Sequence, residues 1–319
     1  MSNSLEGCGQ ITADFQFILF PVVFILVFVF GLTGNLVALY VFIFKITNHL
    51  SSNTYIINLA VVDTMFIFTL PFRIHYHLNK NNWIFENVTC KITGTLYHTN
   101  IYISSAFLTC ICVDRYIAVV FPYTYIKLQK ARYSIKVSML VWAIAAGFML
   151  SLLLYAPEIN TRNNITNCFE NFTSKQWSQQ MAVYHICGLL FGFLIPFTII
   201  MICYSLIARR ISKIRNASSR KALRIIYITL SILILCFLPY HITHLLYFLA
   251  RVGHIKSCSC TEVLYKLRRI TMATVSLNSC FDPLMYYFAT AKFSWSIFKR
   301  LRPPRKKRVY TIYGPDSCK

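Results

Sequence analysis

The chain has 319 residues, of which 56% are hydrophobic and 13% are charged, and its formal net charge is +22. Soluble domains carry roughly 25% charged residues, so this composition excludes an ordinary water-soluble domain and indicates a protein whose solvent is lipid. A basic balance is also typical of nucleic-acid-binding proteins, but here the positive charge is confined to particular loops, which excludes a nucleic acid polymer as the partner.

Seven stretches of the chain are apolar over the roughly 20 residues that a helix needs to cross a bilayer. They cover about residues 17–44, 52–78, 90–120, 134–156, 182–208, 222–250 and 263–289. We therefore predict an all-α fold: a seven-transmembrane helix bundle over residues 17–290, after an extracellular N-terminus of residues 1–16. Residues 291–319 are predicted to form a cytoplasmic basic tail that begins with a short amphipathic eighth helix, because apolar residues alternate with cations there.

Positive charge indicates the orientation of this bundle. Lysine and arginine concentrate between spans three and four, between spans five and six, and after span seven, which all fall on one side of a seven-span protein. By the positive-inside rule that side is the cytoplasm, which places the N-terminus outside a multi-pass protein of the plasma membrane. Glycosylation sequons begin at Asn87, Asn164 and Asn171, all in predicted outer loops. The basic inner segments are predicted to contact anionic membrane lipids.

Five of the 12 cysteines lie in the predicted outer segments, where disulfide bonds persist. We expect Cys90 to pair with Cys168, which would tie the second outer loop to the start of the third span. Cys8 is expected to pair with either Cys258 or Cys260, and the sequence leaves both partners open. The cysteines inside the spans are expected to be free thiols that pack as small apolar side chains.

Few polar residues lie deep in the spans, which makes them informative. Asn35, Asp63, Ser104, Asn278 and Asp282 fall at similar depth if the spans are aligned. Two neighbouring carboxylates ionise together only when they share a cation or a proton, so the two aspartates favour a cation site. The alternative is that these side chains only form hydrogen bonds between helices.

Each predicted span carries a motif that resembles the rhodopsin-like (class A) family of G-protein-coupled receptors. The motifs are Gly34-Asn35, Asn58-Leu59-Ala60-Val61-Val62-Asp63, Asp114-Arg115-Tyr116, Trp142, Pro196 with Tyr204, Cys236-Phe237-Leu238-Pro239 and Asp282-Pro283-Leu284-Met285-Tyr286. The resemblance extends from about Phe15 to Arg300, and the order and spacing of the motifs make it specific. Phe237 stands where most of the family has tryptophan, and Asp282 where asparagine is commoner, as is typical of the purinergic-like branch.

The resemblance implies a receptor that transmits a signal across the membrane to a heterotrimeric G protein. An outer ligand would favour a state in which the sixth helix swings outward below Pro239. The residues that would then shape the coupling site for the G protein are Asp114, Arg115, Tyr116, Tyr204 and Tyr286.

The resemblance also implies one structural ion and no other cofactor. A sodium ion would stabilise the resting state from a site formed by Asp63, Ser104, Asn278 and Asp282. No enzymatic activity and no catalytic residues are expected, because the spans carry neither a His-Glu-x-x-His motif nor a nucleophile paired with a base.

Basic residues in the outer half of the bundle indicate a ligand with negative charge. Outer segments are normally poor in cations, yet five converge on one predicted vestibule: Arg73, Arg251, Lys266, Arg268 and Arg269. Arginine forks match phosphate oxygens, which favours a phosphate-bearing ligand. The side chains expected to complete this site are Tyr97, His98, His241 and His244. Tyr97 stands where amine receptors carry aspartate, and Ser276 where opsins carry their retinal lysine, so we exclude both of those ligand classes.

Three ligand classes remain open, and an anionic lipid is the first. The segments 70–76 and 168–172 resemble those of lysophosphatidic acid receptors, and the apolar outer half of span five, with Phe191 and Phe193, is expected to hold an acyl chain. A nucleotide or nucleotide sugar is the alternative, although His244 stands where nucleotide receptors usually carry a cation. A proton is the third candidate, because seven of the 8 histidines lie in the outer half or outer loops.

Overall fold

The computed structural model of the chain describes residues 13–45, 51–128, 131–155, 160–162, 165–169, 182–213, 217–255 and 257–283. These residues form seven long helices: α1 (Gln16–Lys45), α2 (Ser51–Leu78), α3 (Asn87–Val120), α4 (Ala131–Tyr155), α5 (Ala182–Ser212), α6 (Ala217–Arg251) and α7 (Cys258–Ser276). After a turn at Leu277, helical backbone continues over residues 278–283. The predicted seven-helix bundle is confirmed.

The helices close into one bundle around α3. This helix packs against α2, α4 and α5, while α6 packs against α5 and α7, and α1 packs against α2 and α7. The core between them is apolar and aromatic, with Leu59, Phe66 and Phe107 fully buried. A short helix, Pro122–Leu128, follows α3.

Six of these helices, α1 to α6, are long and apolar enough to cross a membrane. Many of their outward side chains, such as Phe30 and Ile144, are both apolar and exposed, which is the surface expected of helices solvated by lipid. The described part of α7 is more polar because it carries charged residues near its start: Glu262, Lys266, Arg268 and Arg269. These features are those of a multi-pass membrane protein.

Prolines interrupt the regular hydrogen bonding of four of the long helices, because proline has no backbone N–H. In α1, Pro21 lies inside the helix and removes the hydrogen bond that the Phe17 carbonyl would otherwise accept. In α2 the helix loosens into a turn just before Pro71. In α5 the backbone widens into a π-helical turn over Leu190–Leu194, directly before Pro196. Pro239 lies inside α6 and removes the hydrogen bond that the Leu235 carbonyl would otherwise accept.

A two-stranded antiparallel hairpin covers one end of the bundle. Strand β1 (Asn160–Arg162) pairs with strand β2 (Ile165–Asn167). A disulfide joins Cys168, the residue after β2, to Cys90 in the first turn of α3, which is the pairing that the sequence predicted. We call this end of the bundle, marked by residues 160–168, the hairpin end; the other is the opposite end.

The hairpin is also fastened to the turn between α2 and α3. The backbone N–H of Trp83 donates to the Thr166 carbonyl at 2.8 Å, and the backbone N–H of Thr166 donates to Asn82 Oδ1 at 3.0 Å. Phe169 lies directly on α3 at Gly94, where an added Cβ would be 2.3 Å from the Phe169 ring. A glycine is therefore required at this point of contact between the hairpin segment and α3.

Buried and half-buried hydrogen bonds link neighbouring helices at the positions of the sequence motifs. Asn35 Nδ2 donates to the Ser279 carbonyl at 2.9 Å, which links α1 to the segment after α7. Trp142 Nε1 donates to Asn58 Oδ1 at 2.7 Å, which links α4 to α2. An unpaired polar group in such a core is costly, so these bonds favour one relative placement of the helices.

The first turn of α7 lies outside the span that hydropathy outlines. The helix begins at Cys258 because Ser257 caps it, accepting a hydrogen bond from the Cys260 N–H at 3.4 Å. Residues 1–12, which form most of the predicted N-terminal segment, lie outside the described part of the chain, as do the end of the seventh span, the predicted eighth helix and the basic tail.

Candidate functional site

A cavity opens at the hairpin end between α1, α2, α3, α6 and α7. Its volume is about 70 Å³, several times the roughly 10–15 Å³ that one water molecule needs by the same measure. Four arginines line it, one from α2, one from α6 and two from α7: Arg73, Arg251, Arg268 and Arg269. We call these four residues the arginine cluster. The structure thus brings together four of the five cations that the sequence assigned to one vestibule.

Aromatic rings contact three members of the arginine cluster. The Arg73 guanidinium lies 5.9 Å from the centre of the Trp83 ring. The Arg268 guanidinium lies 5.0 Å from the centre of the Tyr247 ring, and the Arg269 guanidinium lies 4.9 Å from that of Tyr265. Arg269 Nη2 also donates to the Tyr265 hydroxyl at 2.8 Å. Such contacts hold the planar guanidinium groups, so an anion would meet donors that are already positioned.

Tyr97 and His98 of α3 line the same cavity, as the sequence predicted. The Tyr97 hydroxyl donates to the Met272 carbonyl at 2.7 Å, which ties α3 to α7 beside the arginine cluster. The His98 ring packs against Phe169, with 5.6 Å between ring centres. The hairpin segment therefore supports the α3 wall of the cavity.

Three side chains that the sequence assigned to the ligand site do not line this cavity. Lys266 is on another face of α7, where its Nζ lies 2.6 Å from Glu262 Oε1. His241 is buried against α5, with its ring stacked on that of Phe193 at 4.3 Å between centres. His244 is buried beside the cavity, where its Nδ1 accepts a hydrogen bond from Arg268 Nε. The structure therefore does not bring these three side chains to the cavity, because depth in the bundle does not decide which face of a helix a residue occupies.

Sequence reasoning missed the contribution of α1 and of a second α2 side chain. Phe20 and Phe24 line the cavity and are each 1% exposed. His77 lines it one helical turn after Arg73. The signal was the four-residue spacing of each pair, which places both members on one helix face.

A second group of buried polar residues lies between α2, α3 and the segment after α7. Ser279 Oγ donates to Asp63 Oδ1 at 2.7 Å, and Asn278 Nδ2 donates to Asp282 Oδ2 at 2.9 Å. The carboxyl groups of Asp63 and Asp282 are close neighbours. Asp63 Oδ2, Asp282 Oδ1 and Asn278 Oδ1 are buried and accept no hydrogen bond from the described residues.

These residues fit the sodium ion that the family resemblance implies. Two adjacent carboxylates and an amide oxygen are ligands that hard cations prefer, and a shared cation lowers the cost of burying both charges. In this group of hydrogen bonds among the described residues, Ser104 does not contact the two aspartates directly; its hydroxyl donates to Asn100 Oδ1 at 3.4 Å. Sequence reasoning missed Asn100 and Ser279, which complete the hydrogen-bonded group.

At the opposite end, the motif that closes α3 is held within the bundle. Arg115 Nη2 lies 3.9 Å from Asp114 Oδ2 and also donates a hydrogen bond to Ser52 Oγ of α2. The Tyr125 hydroxyl, on the short helix after α3, donates to Asp114 Oδ2 at 3.4 Å. Arg115 is therefore held to Ser52 of α2 and to its own neighbour Asp114.

The remaining coupling residues are only partly described. Tyr116 packs edge-on against Phe121 with 5.8 Å between ring centres. Tyr204 lies on α5 and packs against the main core. Tyr286 lies outside the described residues.

The structure also addresses the predicted outer cysteines and sequons. Cys258 is disulfide-bonded, whereas Cys260 is a free, exposed thiol, so of the two partners left open for Cys8 only Cys258 is engaged. Cys8 itself lies outside the described residues. Asn87 begins α3 at the hairpin end, whereas the glycosylation asparagines Asn164 and Asn171 themselves lie outside the described residues.

Comparisons with known proteins agree with this architecture. The family described as 7 transmembrane receptor (rhodopsin family) matches residues 34–286. Purinoceptor 1 of Gallus gallus is 33% identical over 310 residues, which cover 96% of this chain and 85% of the relative. Lysophosphatidic acid receptor 6 of Gallus gallus is 37% identical over 283 residues, which cover 87% of this chain and 92% of the relative. Lysophosphatidic acid receptor 4 of Homo sapiens is 35% identical over 290 residues, covering 89% and 78%.

The family match spans most of the bundle, and the relatives align over most of their own length as well as that of the chain. This family consists of receptors and not of enzymes. With its seven packed helices and the motif at the end of α3, the chain belongs to the rhodopsin family of seven-transmembrane receptors.

Proposed function

We propose that the chain is a plasma-membrane G-protein-coupled receptor for a phosphate-bearing lipid, a lysophospholipid such as lysophosphatidic acid. The observation that carries this proposal is the arginine cluster, in which four guanidinium groups from three helices meet at one cavity. Each guanidinium offers paired N–H donors that match phosphate oxygens. The names of two relatives, lysophosphatidic acid receptors 4 and 6, agree with this chemistry.

In this proposal the hairpin end faces outside the cell. The Cys90–Cys168 disulfide at that end favours an oxidising compartment. Exposed cations near the opposite end, Lys127, Arg132 and Lys136, favour the cytoplasmic side, where they contact anionic membrane lipids. The ligand then reaches the cavity from outside or from the outer leaflet.

The acyl chain is proposed to lie toward α1 and α7. Phe20, Phe24 and Met272 are apolar side chains of α1 and α7 in the cavity wall. The slot along α5 that the sequence suggested has less support, because Phe191 is 69% exposed on the outer surface and Phe193 packs against a buried histidine. An acyl chain gains free energy in proportion to the apolar area that binding removes from water, so a buried apolar wall favours its binding.

Coupling to a heterotrimeric G protein is proposed to follow from a shift of α6 below Pro239. The ligand needs only to bind the open state more tightly than the closed one. Opening would free Arg115 from Asp114 and from α2, and a G protein would bind at the opposite end. A sodium ion held by Asp63, Asp282 and Asn278 is proposed to stabilise the closed state.

The aromatic lining of the cavity favours a second candidate, a nucleotide or nucleotide sugar. Rings from α3, α6, α7 and the hairpin segment surround the arginine cluster: His98, Tyr247, Tyr265 and Phe169. Planar bases stack on such rings, and a purinoceptor is among the relatives. The same cations would then bind the diphosphate.

The test is GTP loading of a purified heterotrimeric G protein by the full chain in lipid vesicles. Oleoyl lysophosphatidic acid is expected to increase loading, while monooleoylglycerol, which has the same acyl chain and no phosphate, is expected to have no effect. A response to adenosine or uridine diphosphate alone would favour the second candidate. A response to neither phosphate class would contradict the phosphate proposal.

A further inference from the structure

The α2 wall of the cavity carries a histidine whose ring is held in a fixed plane. His77 lies one helical turn after Arg73, and both line the cavity. The His77 side chain is 4% exposed, and its imidazole stacks on the Phe20 ring of α1 with 4.3 Å between ring centres and 11° between planes. This stacking leaves the edge of the ring, which carries its nitrogens, as the polar surface.

Asn81 determines which nitrogen is engaged at that edge. His77 Nδ1 lies 2.9 Å from Asn81 Oδ1. An amide oxygen can only accept, so Nδ1 carries the hydrogen, and in the neutral ring Nε2 is then the basic nitrogen. The cavity-lining histidine is therefore held in the tautomer that can take up a proton at Nε2.

The backbone that presents Asn81 is itself fixed. Asn81 has φ 62°, a left-handed conformation that asparagine tolerates better than most residues, and its N–H donates to the Tyr76 carbonyl at 2.9 Å. The next residue, Asn82, accepts a hydrogen bond from β2. The hairpin thus supports the turn that orients His77.

The charges that face His77 decide when its ring can carry a proton. It shares the cavity with the arginine cluster, with His98 and with the hydroxyl groups of Tyr97, Tyr247 and Tyr265, while α1 contributes the uncharged Phe20 and Phe24. The positive charges oppose a further positive charge on the imidazole, and a bound dianion removes that opposition. Ligand binding and proton uptake at His77 are then coupled.

We infer that His77 is a further ligand-binding residue, which takes up a proton from solvent as a phosphate monoester binds and donates its Nε2–H to a phosphate oxygen. Asn81 is the positioning residue for this contact. The site would therefore select a terminal, doubly charged phosphate over a phosphodiester head group, which has a single charge. This inference rests on the proposed function, a receptor for a phosphate-bearing ligand, and specifies that the phosphate is a monoester.

The experiment measures competition binding to the full chain in vesicles between about pH 6 and pH 8, where histidine titrates. The probes are oleoyl lysophosphatidic acid, its choline diester and adenosine diphosphate; the last distinguishes a nucleotide from a lipid source of the monoester. His77→Asn keeps a group near Nδ1 for Asn81 and removes the ligand-facing nitrogen. His77→Gln keeps a neutral N–H near the position of Nε2.

Near pH 6 the unchanged chain is expected to bind the monoester about tenfold or more tightly than His77→Asn does, because the variant lacks a charge-assisted hydrogen bond. Near pH 8 the affinities of the two chains are expected to become similar. His77→Gln is expected to retain more affinity than His77→Asn near pH 8 and to lack the same pH dependence. Asn81→Gly, which keeps the left-handed backbone, is expected to weaken the pH dependence.

Three results would overturn the inference. A His77→Asn receptor with the pH dependence of the unchanged chain would remove His77 from the site, while monoester binding by the unchanged chain would still support the proposed function. Equal affinity of the unchanged chain for monoester and diester would refute the selectivity without any variant. Binding of none of the phosphate probes by the unchanged chain would overturn both proposals.

Discussion

Arg268 Nε donates a hydrogen bond to His244 Nδ1 at 3.3 Å, and this contact joins α7 to α6 just over one turn after Pro239. The His244 ring stacks on His185 of α5 at 4.4 Å and on Tyr240 at 5.3 Å between ring centres. Arg268 is therefore shared between the cavity and the contact of α5 with α6. A phosphate that draws Arg268 toward itself would weaken that contact near the proline of α6.

His244→Phe is expected to raise phosphate-ligand affinity by about two- to tenfold, because the ligand no longer competes with a hydrogen bond worth about 0.5–1.5 kcal/mol. Phenylalanine keeps the ring stacking. Competition binding with oleoyl lysophosphatidic acid measures the effect. Tyr240→Phe is the matched control, since the buried Tyr240 hydroxyl has no hydrogen-bond partner among the described residues and its loss should leave affinity unchanged. A clear fall in affinity with His244→Phe would mean that His244 contacts the ligand itself.

Arg73→Ala and Arg251→Ala are each expected to reduce the potency of a phosphate ligand by about 10- to 100-fold, the effect of losing a hydrogen bond to a charged group. Surface expression should be unchanged, because both side chains lie at the cavity and not in the main apolar core. Potency in a GTP-loading assay checks this. Lys266→Ala is the control on α7, since Lys266 pairs with Glu262 outside the cavity. Equal potency of all three variants would remove the phosphate model.

The fold followed from the sequence because apolar stretches of membrane length leave little choice of architecture. The start of α7 could not be predicted from the sequence, because Cys258 to Glu262 are polar or small and only the cap at Ser257 marks the first turn. The cations of the site were visible from the sequence, since arginine is rare among apolar residues. The spacing of Phe20 and Phe24 puts both on one helix face, but it does not show that this face lines a cavity, because aromatic residues that face a cavity and those that face lipid look alike in sequence.

Helical phase explains why Lys266, which the sequence assigned to the vestibule, does not line the cavity. Lys266 is about 160° around the helix from Arg268 and about 60° from Arg269, so it lies beyond one edge of the helix face that lines the cavity. It pairs instead with Glu262, while Tyr265 contacts Arg269 one turn later. A sequence gives the depth of a residue in the bundle, but the rotation of each helix is set by packing against its neighbours.

Asp63→Asn is expected to abolish the effect of sodium on ligand affinity. In the unchanged chain, replacing choline by sodium should lower agonist affinity by about fivefold or more, because the ion stabilises the closed state. The variant removes one of two adjacent carboxylates and with it most of the attraction for a cation. Agonist binding in sodium and in choline chloride measures the difference.

Ser279→Ala is the matched control for the sodium experiment. It removes the 2.7 Å hydrogen bond to Asp63 Oδ1 and leaves the oxygens that accept no hydrogen bond from the described residues, Asp63 Oδ2 and Asp282 Oδ1, in place. The sodium effect should therefore persist. Equal affinity of the unchanged chain in both salts would show that the buried carboxylates hold no functional ion.

Arg115→Ala is expected to abolish GTP loading of the G protein while ligand affinity changes by less than about threefold, because Arg115 lies at the opposite end from the cavity. Ser52→Ala is the companion variant. It removes the contact that fastens Arg115 to α2 and should raise loading in the absence of ligand, since the closed arrangement loses a charge-assisted hydrogen bond. Both are measured with the same purified G protein. Retained coupling in Arg115→Ala would mean that the motif at the end of α3 is not the switch, and unchanged basal loading in Ser52→Ala would mean that its hydrogen bond does not restrain Arg115.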